Sequence, residues 1–322
     1  MHPPPGPMLG AGCSSSLYNG PVRKRIRIIA NPASGRGRSG RRAREVMLQL
    51  VERGCSVEVV ETRAPGDARR IAFEARSVDA LVAVGGDGTI NEVANGFSSP
   101  AAPPVGIIPA GTANVLAKEI GLPRRPADLA EIIVSGREIA WDLGVVHPGD
   151  RRFLLFASAG FDAQVVHDFH RRRDGRIRMS DYVMWGVRTF LGWTVPRIRV
   201  EIDGRRLAEE AAWVIVSNVR SYGGPLVFTP GARYDDQKFE VMIQRRRHKV
   251  DTAHLFGASL LAWATGLESR PADVTFHQAR RVRLASADGR RVPLQVDGDP
   301  GGFLPAEIEM APKGIRILGP GA

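Results

Sequence analysis

The chain has 322 residues, 43% of them hydrophobic and 25% charged, with a formal net charge of +11. At roughly 150 residues per domain this length fits two domains, and the composition excludes a disordered chain. Cys13 and Cys55 are the only cysteines, which excludes a disulfide framework and a zinc cluster.

Residues 1–23 lack both a basic leader and a true apolar segment, and read as a disordered lead to a cytoplasmic protein. Residues 25–30 (RIRIIA) form the first expected strand, followed by the turn NPASGRGRSG and a helix over 41–52. SVEVVET leads to a helix opened by Gly66-Asp67, DALVAVGG to one around INEVANGF, and VGIIPAG to TANVLAKEIGL. Val/Ile-rich runs alternating with helices imply a parallel sheet with covering helices. Beyond Trp141 short strands dominate: WDLGVV, RFLLFASAGF, RIRVEID, AAWVIVSNV, KFEVMIQ, RRVRLAS and VPLQVDGD. Only two helices are expected among them, over 179–193 and 250–267, and that pattern reads as an antiparallel β-sandwich. The fold class is therefore α/β plus all-β, with an α/β domain over 24–139 and a sandwich over 140–322. The last strand is able to return to the first domain. No apolar run approaches the ~18 residues that span a bilayer, and the longest, Leu255 to Leu267, reads as a buried helix.

The net charge calls for a polyanion or an anionic surface: nucleic acid, a phosphate-bearing ligand or acidic lipid. No nucleic-acid motif accompanies it. The loop GRGRSG satisfies G-x-G-x-x-G, with Glu61 where a ribose-binding acid would stand. However, Asn31-Pro32-Ala33-Ser34 separates the strand from the first glycine, and the dinucleotide fingerprint needs glycine almost at the strand end. A Walker loop fails as well, because Arg41-Arg42 follows the glycines.

The run LVAVGGDGTINEVANG is more informative. Gly85 and Gly86 allow a sharp turn and a close backbone approach. Gly88 and Thr89 open a helix whose free N–H groups form an anion site. Asp87 reads either as a cap in an ordinary Asp-Gly turn or as a group facing a cation or a ribose hydroxyl. Gly111, Thr112 and Asn114 repeat the arrangement after the next strand. Two such loops at successive strand ends point to a nucleotide rather than to coincidental caps.

NPASG (31–35), GGDGTINEV (85–93), GTAN (111–114) and AGFDA (159–163) together resemble the diacylglycerol kinase catalytic-domain superfamily, in particular bacterial soluble lipid kinases related to sphingosine and ceramide kinases. The resemblance runs from about Arg25 to the C-terminus. GGDGT alone is shared with NAD kinases and phosphofructokinases; with the flanking motifs it becomes specific. It implies a nucleotide domain, a lipid-binding sandwich, and ATP with Mg²⁺ between them. Asn31, Ser34, Gly35, Thr62, Gly85, Gly86, Asp87, Gly88, Thr89, Ile90, Asn91 and Thr112 would form the nucleotide site.

By the same resemblance, ARYDDQKFEV (232–241) matches a segment that holds a structural magnesium through Asp236 and the carbonyls of Arg233 and Lys238. The family usually has glycine where Gln237 stands. QVDGDP (295–300) matches an Asp-Gly-Glu motif whose acids activate the lipid hydroxyl, here Asp297 and the one-methylene-shorter Asp299. Read alone, Asp-Gly-Asp is a turn. His167 and His170 could share a helix face, but no ligand pattern completes a metal site and they read as solvated. The stretch 170–193, with Tyr182, Trp185, Phe190 and Trp193, reads as a core helix in preference to an interfacial one. The expected activity is transfer of the γ-phosphoryl group of ATP to a lipid hydroxyl, with peripheral contact at the anionic inner face of the membrane. A homodimer is left open.

Overall fold

The computed structural model describes residues 24–75, 77–97, 102–171, 179–223, 226–245, 248–266 and 271–321. The expected lead over 1–23 lies outside the described residues.

The first sheet is built from β1 (Arg25–Ala30), β2 (Ser56–Glu61), β3 (Ala80–Gly85), β4 (Val105–Pro109) and β5 (Arg137–Trp141). Helices α1 (Arg38–Glu52), α2 (Asp67–Glu74), α3 (Asp87–Asn95), α4 (Val115–Glu119) and α5 (Pro126–Ser135) cover it. β3, ALVAVG, is buried at every position and lies between β1 and β4, as a continuous apolar run in a parallel sheet must. β2 alternates Val and Glu and takes the edge. α1 begins three residues before the expected start, because Gly37 adopts a left-handed φ of 81° and serves as its N-cap. The ten-residue α5 is absent from the sequence reading, although Pro126 at its first turn is a helix-start signal.

The second half comprises β6 (Gly144–His147), β7 (Arg151–Phe153), β8 (Phe156–Ala159), β9 (Ile198–Ile202), β10 (Arg205–Arg206), β11 (Trp213–Ser217), β12 (Ser221–Tyr222), β13 (Leu226–Val227) and β14 (Phe239–Gln244), then β15 (Val274–Ala279), β16 (Arg281–Ser286), β17 (Pro293–Val296), β18 (Asp299–Phe303) and β19 (Ala306–Met310). Two six-stranded antiparallel sheets, β10-β9-β16-β19-β6-β7 and β15-β14-β11-β8-β17-β18, face each other as the expected sandwich. Val200, Leu284 and Ile308 from one sheet meet Val214, Val241 and Leu294 from the other in its core.

Three helices interrupt the strands: α6 (Phe161–Arg171), α7 (Met179–Gly192) and α8 (Lys249–Thr265). α6 corrects the expectation of two. Its β-branched Val165-Val166 continues the strand signal of β8, but Gly160 turns the chain at φ 133°, and Phe161, Val165 and Phe169 then recur at helical spacing on a buried face.

The last strand, β20 (Ile315–Gly319), pairs parallel with β4 and antiparallel with β5, giving the order β2-β1-β3-β4-β20-β5. The first sheet is therefore mixed rather than purely parallel. A single apolar cluster runs from Leu81, Ile90 and Leu116 through Trp141, Leu154 and Phe156 to Trp213 and Ile215, so the two halves share a core.

Candidate functional site

Three loops meet at the carboxyl ends of β1, β3 and β4, held together by glycine. A Cβ on Gly35, whose φ is +60°, would lie 1.8 Å from the Ala110 carbonyl oxygen. A Cβ on Gly111 would lie 2.4 Å from Gly86 Cα, so these two loops touch backbone to backbone. Asn31 ties the first loop to the second: its N–H donates to the Val84 carbonyl at 3.0 Å and its side-chain amide to Thr89 Oγ1 at 3.1 Å. Gly88 differs from the others. A Cβ there would meet no protein atom within 4 Å, so it opens onto free space at the first turn of α3. No side chain caps α3; the Thr89 N–H turns back to the Gly86 carbonyl at 3.0 Å, and the Gly88 N–H at the start of the helix is placed to receive an anion. These contacts fit a phosphate group.

The other expected nucleotide residues divide into three groups. Ser34, with its hydroxyl 3.9 Å from a Cβ built on Gly86, lines the junction of the loops. Thr62 ends the extended run of β2, with its N–H on the Ala30 carbonyl at 2.9 Å, and Thr112 is exposed in the third loop. Ile90 points elsewhere: it is 1% exposed and packs into the apolar core, so its side chain cannot face a nucleotide. Asp87 is also turned inward. Its two carboxylate oxygens accept the N–H groups of Val115 and Leu116, both at 3.1 Å, so it caps α4 rather than its own helix. Burial pushes its pKa up while those N–H groups pull it down.

Asp297 and Asp299 occupy a tight hairpin. Val296 pairs with Asp299, leaving Asp297-Gly298 as a two-residue turn with φ of 50° and 83°, the positive values that a type I′ turn requires. The turn sends the two acids apart. The Asp297 carboxylate accepts Leu154 N–H at 2.8 Å, Leu155 N–H at 2.9 Å, Phe156 N–H at 3.0 Å and the Asn91 side-chain amide at 2.7 Å. Burial pushes its pKa up to about 6, against these four donors. Asp299 faces outward, 3.3 Å from the Arg151 guanidinium and 3.5 Å from His170 Nε2. His170 is therefore not simply solvated: it lies on α6 beside the second acid. His167 likewise reaches the Leu294 carbonyl at 3.0 Å.

Neighbouring motifs complete the link between the halves. Asn91 also donates to the Arg152 carbonyl at 3.1 Å, and Asn95 receives the Arg152 N–H at 3.3 Å. The helix that opens at the glycine loop is thereby fastened to the segment that binds Asp297.

The expected magnesium turn is closed by protein groups. Asp236 accepts the Lys238 N–H at 3.1 Å, and Arg233 pairs with Asp235 at 3.2 Å. Gln237, at φ 59°, donates its N–H at 2.6 Å and its side-chain amide to the buried Asp142. A glycine in its place would supply no such amide. Among the described residues no group of three or more His, Cys, Asp or Glu is arranged to hold a metal.

The diacylglycerol kinase catalytic domain matches residues 25–146, and the YegS C-terminal NAD kinase beta sandwich-like domain matches residues 156–319. The chain belongs to the diacylglycerol kinase catalytic-domain superfamily. Proteins named diacylglycerol kinase from Staphylococcus carnosus and from Staphylococcus aureus (strain bovine RF122 / ET3-1) are each 28% identical over 302 residues, 93% of this chain. The match covers 96% and 93% of those relatives. A crystal structure of a diacylglycerol kinase from Bacillus anthracis superposes with a TM-score of 0.70 at 20% identity, covering 92% of this chain and 97% of that one, which shows the shared fold. Membership makes the chain an ATP-dependent lipid kinase.

Several residues around this candidate site have no local signature. The Asn91–Asp297 bond joins positions 206 apart in sequence. Glu92, next to it, accepts the Ala68 N–H at 3.2 Å and caps α2. Asp162 of the AGFDA motif is buried and accepts the Tyr222 hydroxyl at 2.6 Å, the Trp213 indole N–H at 2.7 Å and the Ser158 hydroxyl. Burial raises its pKa against those donors. It organises the junction of α6 with the sandwich.

Proposed function

We propose that the chain phosphorylates the free hydroxyl of a diacylglycerol-type lipid, with Asp297 as the base. The observation that supports this is the Asn91 bridge, which fixes an anionic acid to the helix that begins at the glycine loop. ATP, bound with Mg²⁺ on the open side of Gly88, would supply the phosphoryl group. The loop amides and the N-terminus of α3 would hold its phosphates, and the work is mainly positioning and charge stabilisation.

A carboxylate with a pKa of about 6 is ionised near neutral pH yet basic enough to take a proton. Each of its oxygens already accepts two donors, which fills the lone pairs of a carboxylate. The three backbone amides are fixed, but the Asn91 amide is a side chain and can yield its place on Oδ2 to the lipid hydroxyl. The hydroxyl proton then passes to Asp297 as the new O–P bond forms and the bond to the leaving ADP breaks. Asp299 would hold Arg151 at the mouth of the hairpin. No described helix is long and apolar enough to cross a membrane, so the lipid would be reached from the bilayer surface.

The test is labelled ATP offered with diacylglycerol, ceramide, a sphingoid base and phosphatidylglycerol in vesicles, with NAD in parallel. Label in the diacylglycerol product is expected. Label in NAD and in no lipid would overturn the reading.

A further inference from the structure

Two sequence motifs meet through one buried side chain that stands outside the catalytic contacts. Gln295 opens QVDGDP, and Asp162 belongs to AGFDA. In β17, Leu294 and Val296 point into the sandwich core, so the alternation of a strand turns Gln295 to the other face, which α6 covers. There it is fully buried. Its cross-strand partner is Ser158 of β8, and Asp162 stands in the first turn of α6.

A buried amide needs partners at both ends. Here Nε2 donates to Ser158 Oγ at 2.9 Å and to Asp162 Oδ2 at 3.3 Å, while Oε1 accepts the Gly298 N–H at 2.8 Å. The reverse orientation would set oxygen against a carboxylate and NH₂ against an N–H donor, so the amide has one setting. Its anchor is itself held. Besides the Ser158 hydroxyl, Asp162 receives the Tyr222 hydroxyl at 2.6 Å and the Trp213 indole and Ala163 N–H groups, both at 2.7 Å.

Gly298 is the second residue of the turn that presents Asp297. The turn closes through its flanking pair, Val296 and Asp299, and leaves its central N–H groups to outside partners. The Asp297 N–H goes to the Phe156 carbonyl at 2.9 Å and the Gly298 N–H to Gln295. Asp297 has φ 50°, a backbone that a non-glycine residue keeps only where its surroundings hold it.

We propose that Gln295 is a positioning residue for the base. It ties the Asp297-Gly298 turn to the Asp162 cluster and so fixes where the Asp297 carboxylate stands, an inference that rests on the reading of Asp297 as the base. Leu154 to Phe156 hold the carboxylate end of that residue, and Gln295 helps to hold its backbone end. Misplacing a reacting group by about 1 Å can cost ~10²-fold in rate.

The test uses a matched pair of variants. Ser158→Ala and Tyr222→Phe each remove one hydroxyl donor from Asp162 Oδ2, but only Ser158 also holds Gln295. With diacylglycerol in vesicles, Ser158→Ala should lower kcat about fivefold or more, with KM for ATP within about twofold of the parent. Tyr222→Phe should lose several-fold less. Gln295→Met, which removes the acceptor for Gly298, should lower kcat by about 10–100-fold. Hydrogen exchange over 295–300, read without substrate, should be about tenfold faster in Gln295→Met than in Tyr222→Phe. Melting curves check that each variant folds, and the matched pair carries the test if Gln295→Met does not. Equal kcat losses in Ser158→Ala and Tyr222→Phe, or equal exchange at the hairpin, would overturn the proposal. Asp297→Asn run alongside separates the two readings. If it stops turnover while Gln295→Met keeps more than about half, the positioning role alone fails; if it remains active, the base reading fails and takes the positioning role with it.

Discussion

Two Asp-Gly pairs dominate the site, and they do different work. Asp87-Gly88 and Asp297-Gly298 both turn the aspartate onto backbone N–H groups of a neighbouring segment. Asp87 receives two, from Val115 and Leu116, and so joins two loops of one domain. Asp297 receives three, from Leu154 to Phe156, together with a side-chain donor from the other domain. The glycines differ in the same sense. Gly298 has φ +83° and closes a hairpin, whereas Gly88 is helical and faces open space. The same dipeptide thus builds a scaffold with an open phosphate seat in one place and a poised acid in the other. What differs is the number of donors and whether one of them can move.

The comparison is most sharply broken at Asp297. Asp297→Asn puts an amide NH₂ against backbone donors and removes the base, so turnover should fall by ~10²–10⁴. Two N–H groups left without an acceptor should also cost ~1–3 kcal/mol each, seen as a lower melting temperature. Asp299→Asn, in an exposed contact with Arg151, should cost well under 1 kcal/mol. The pH dependence follows from the sign of the Asp297 shift. Its folded pKa of about 6 lies above the ordinary 3.8, so the folded state holds the proton more tightly. Its contribution to stability is fully present below pH ~4 and is lost as pH rises through ~6, an effect of about 3 kcal/mol. Asp297→Asn should flatten that part of the stability profile. Turnover retained above about a tenth of the parent would rule out Asp297 as the base.

Asp87 and Gly88 should separate stability from binding. Asp87→Asn loses one of two cap bonds on α4 and should destabilise by ~1–2 kcal/mol. Gly88→Val meets no protein atom, so it should melt within a few degrees of the parent. Its side chain would occupy the phosphate seat and weaken ATP by about tenfold or more. Calorimetric ATP titration of both variants, alongside their melting curves, distinguishes the two roles. Normal ATP affinity in Gly88→Val would move the nucleotide elsewhere.

This contrast also explains what the sequence could show. The glycine loops were legible because their cause is local: an apolar run that ends in glycine beside a helix start needs no distant partner. The alternation of strand and helix was legible for the same reason. α6 was not, because Val165 and Val166 suit a strand as well as a helix until Gly160 turns the chain. Nor was the orientation of Asp87. Asp-Gly before a helix suggests a cap on that helix, and only the packing of Gly86 against Gly111 brings the N-terminus of α4 within reach. Gln237 was not legible either: a side chain in a position where glycine is usual reaches Asp142, 95 residues away in the chain, a contact that no local pattern announces.

The change at Asn91 is the most discriminating, because it removes the movable donor; the Arg152 carbonyl, which Asn91 also reaches, keeps the Asn95 amide at 3.2 Å. Asn91→Ala removes the only side-chain hydrogen bond to Asp297 among the described residues and leaves the three backbone amides in place. Losing a donor to an anion disfavours the ionised form, so the pKa of Asp297 should rise above about 6. A hydrogen bond to a charged group is worth ~1.5–3 kcal/mol, and one pH unit is 1.36 kcal/mol, so the shift should be about one unit. The acid limb of the turnover profile should therefore move to higher pH. On the alkaline side, where Asp297 is ionised in both proteins, turnover should recover to within about tenfold of the parent. The groups nearest the hairpin, Arg151, His170 and Asp299, keep their mutual contacts in this variant, so they do not produce the same displacement. A purely structural role for Asn91 would instead lower turnover equally at every pH and leave the limb where it was. Measuring turnover across pH for the parent and Asn91→Ala decides between the two.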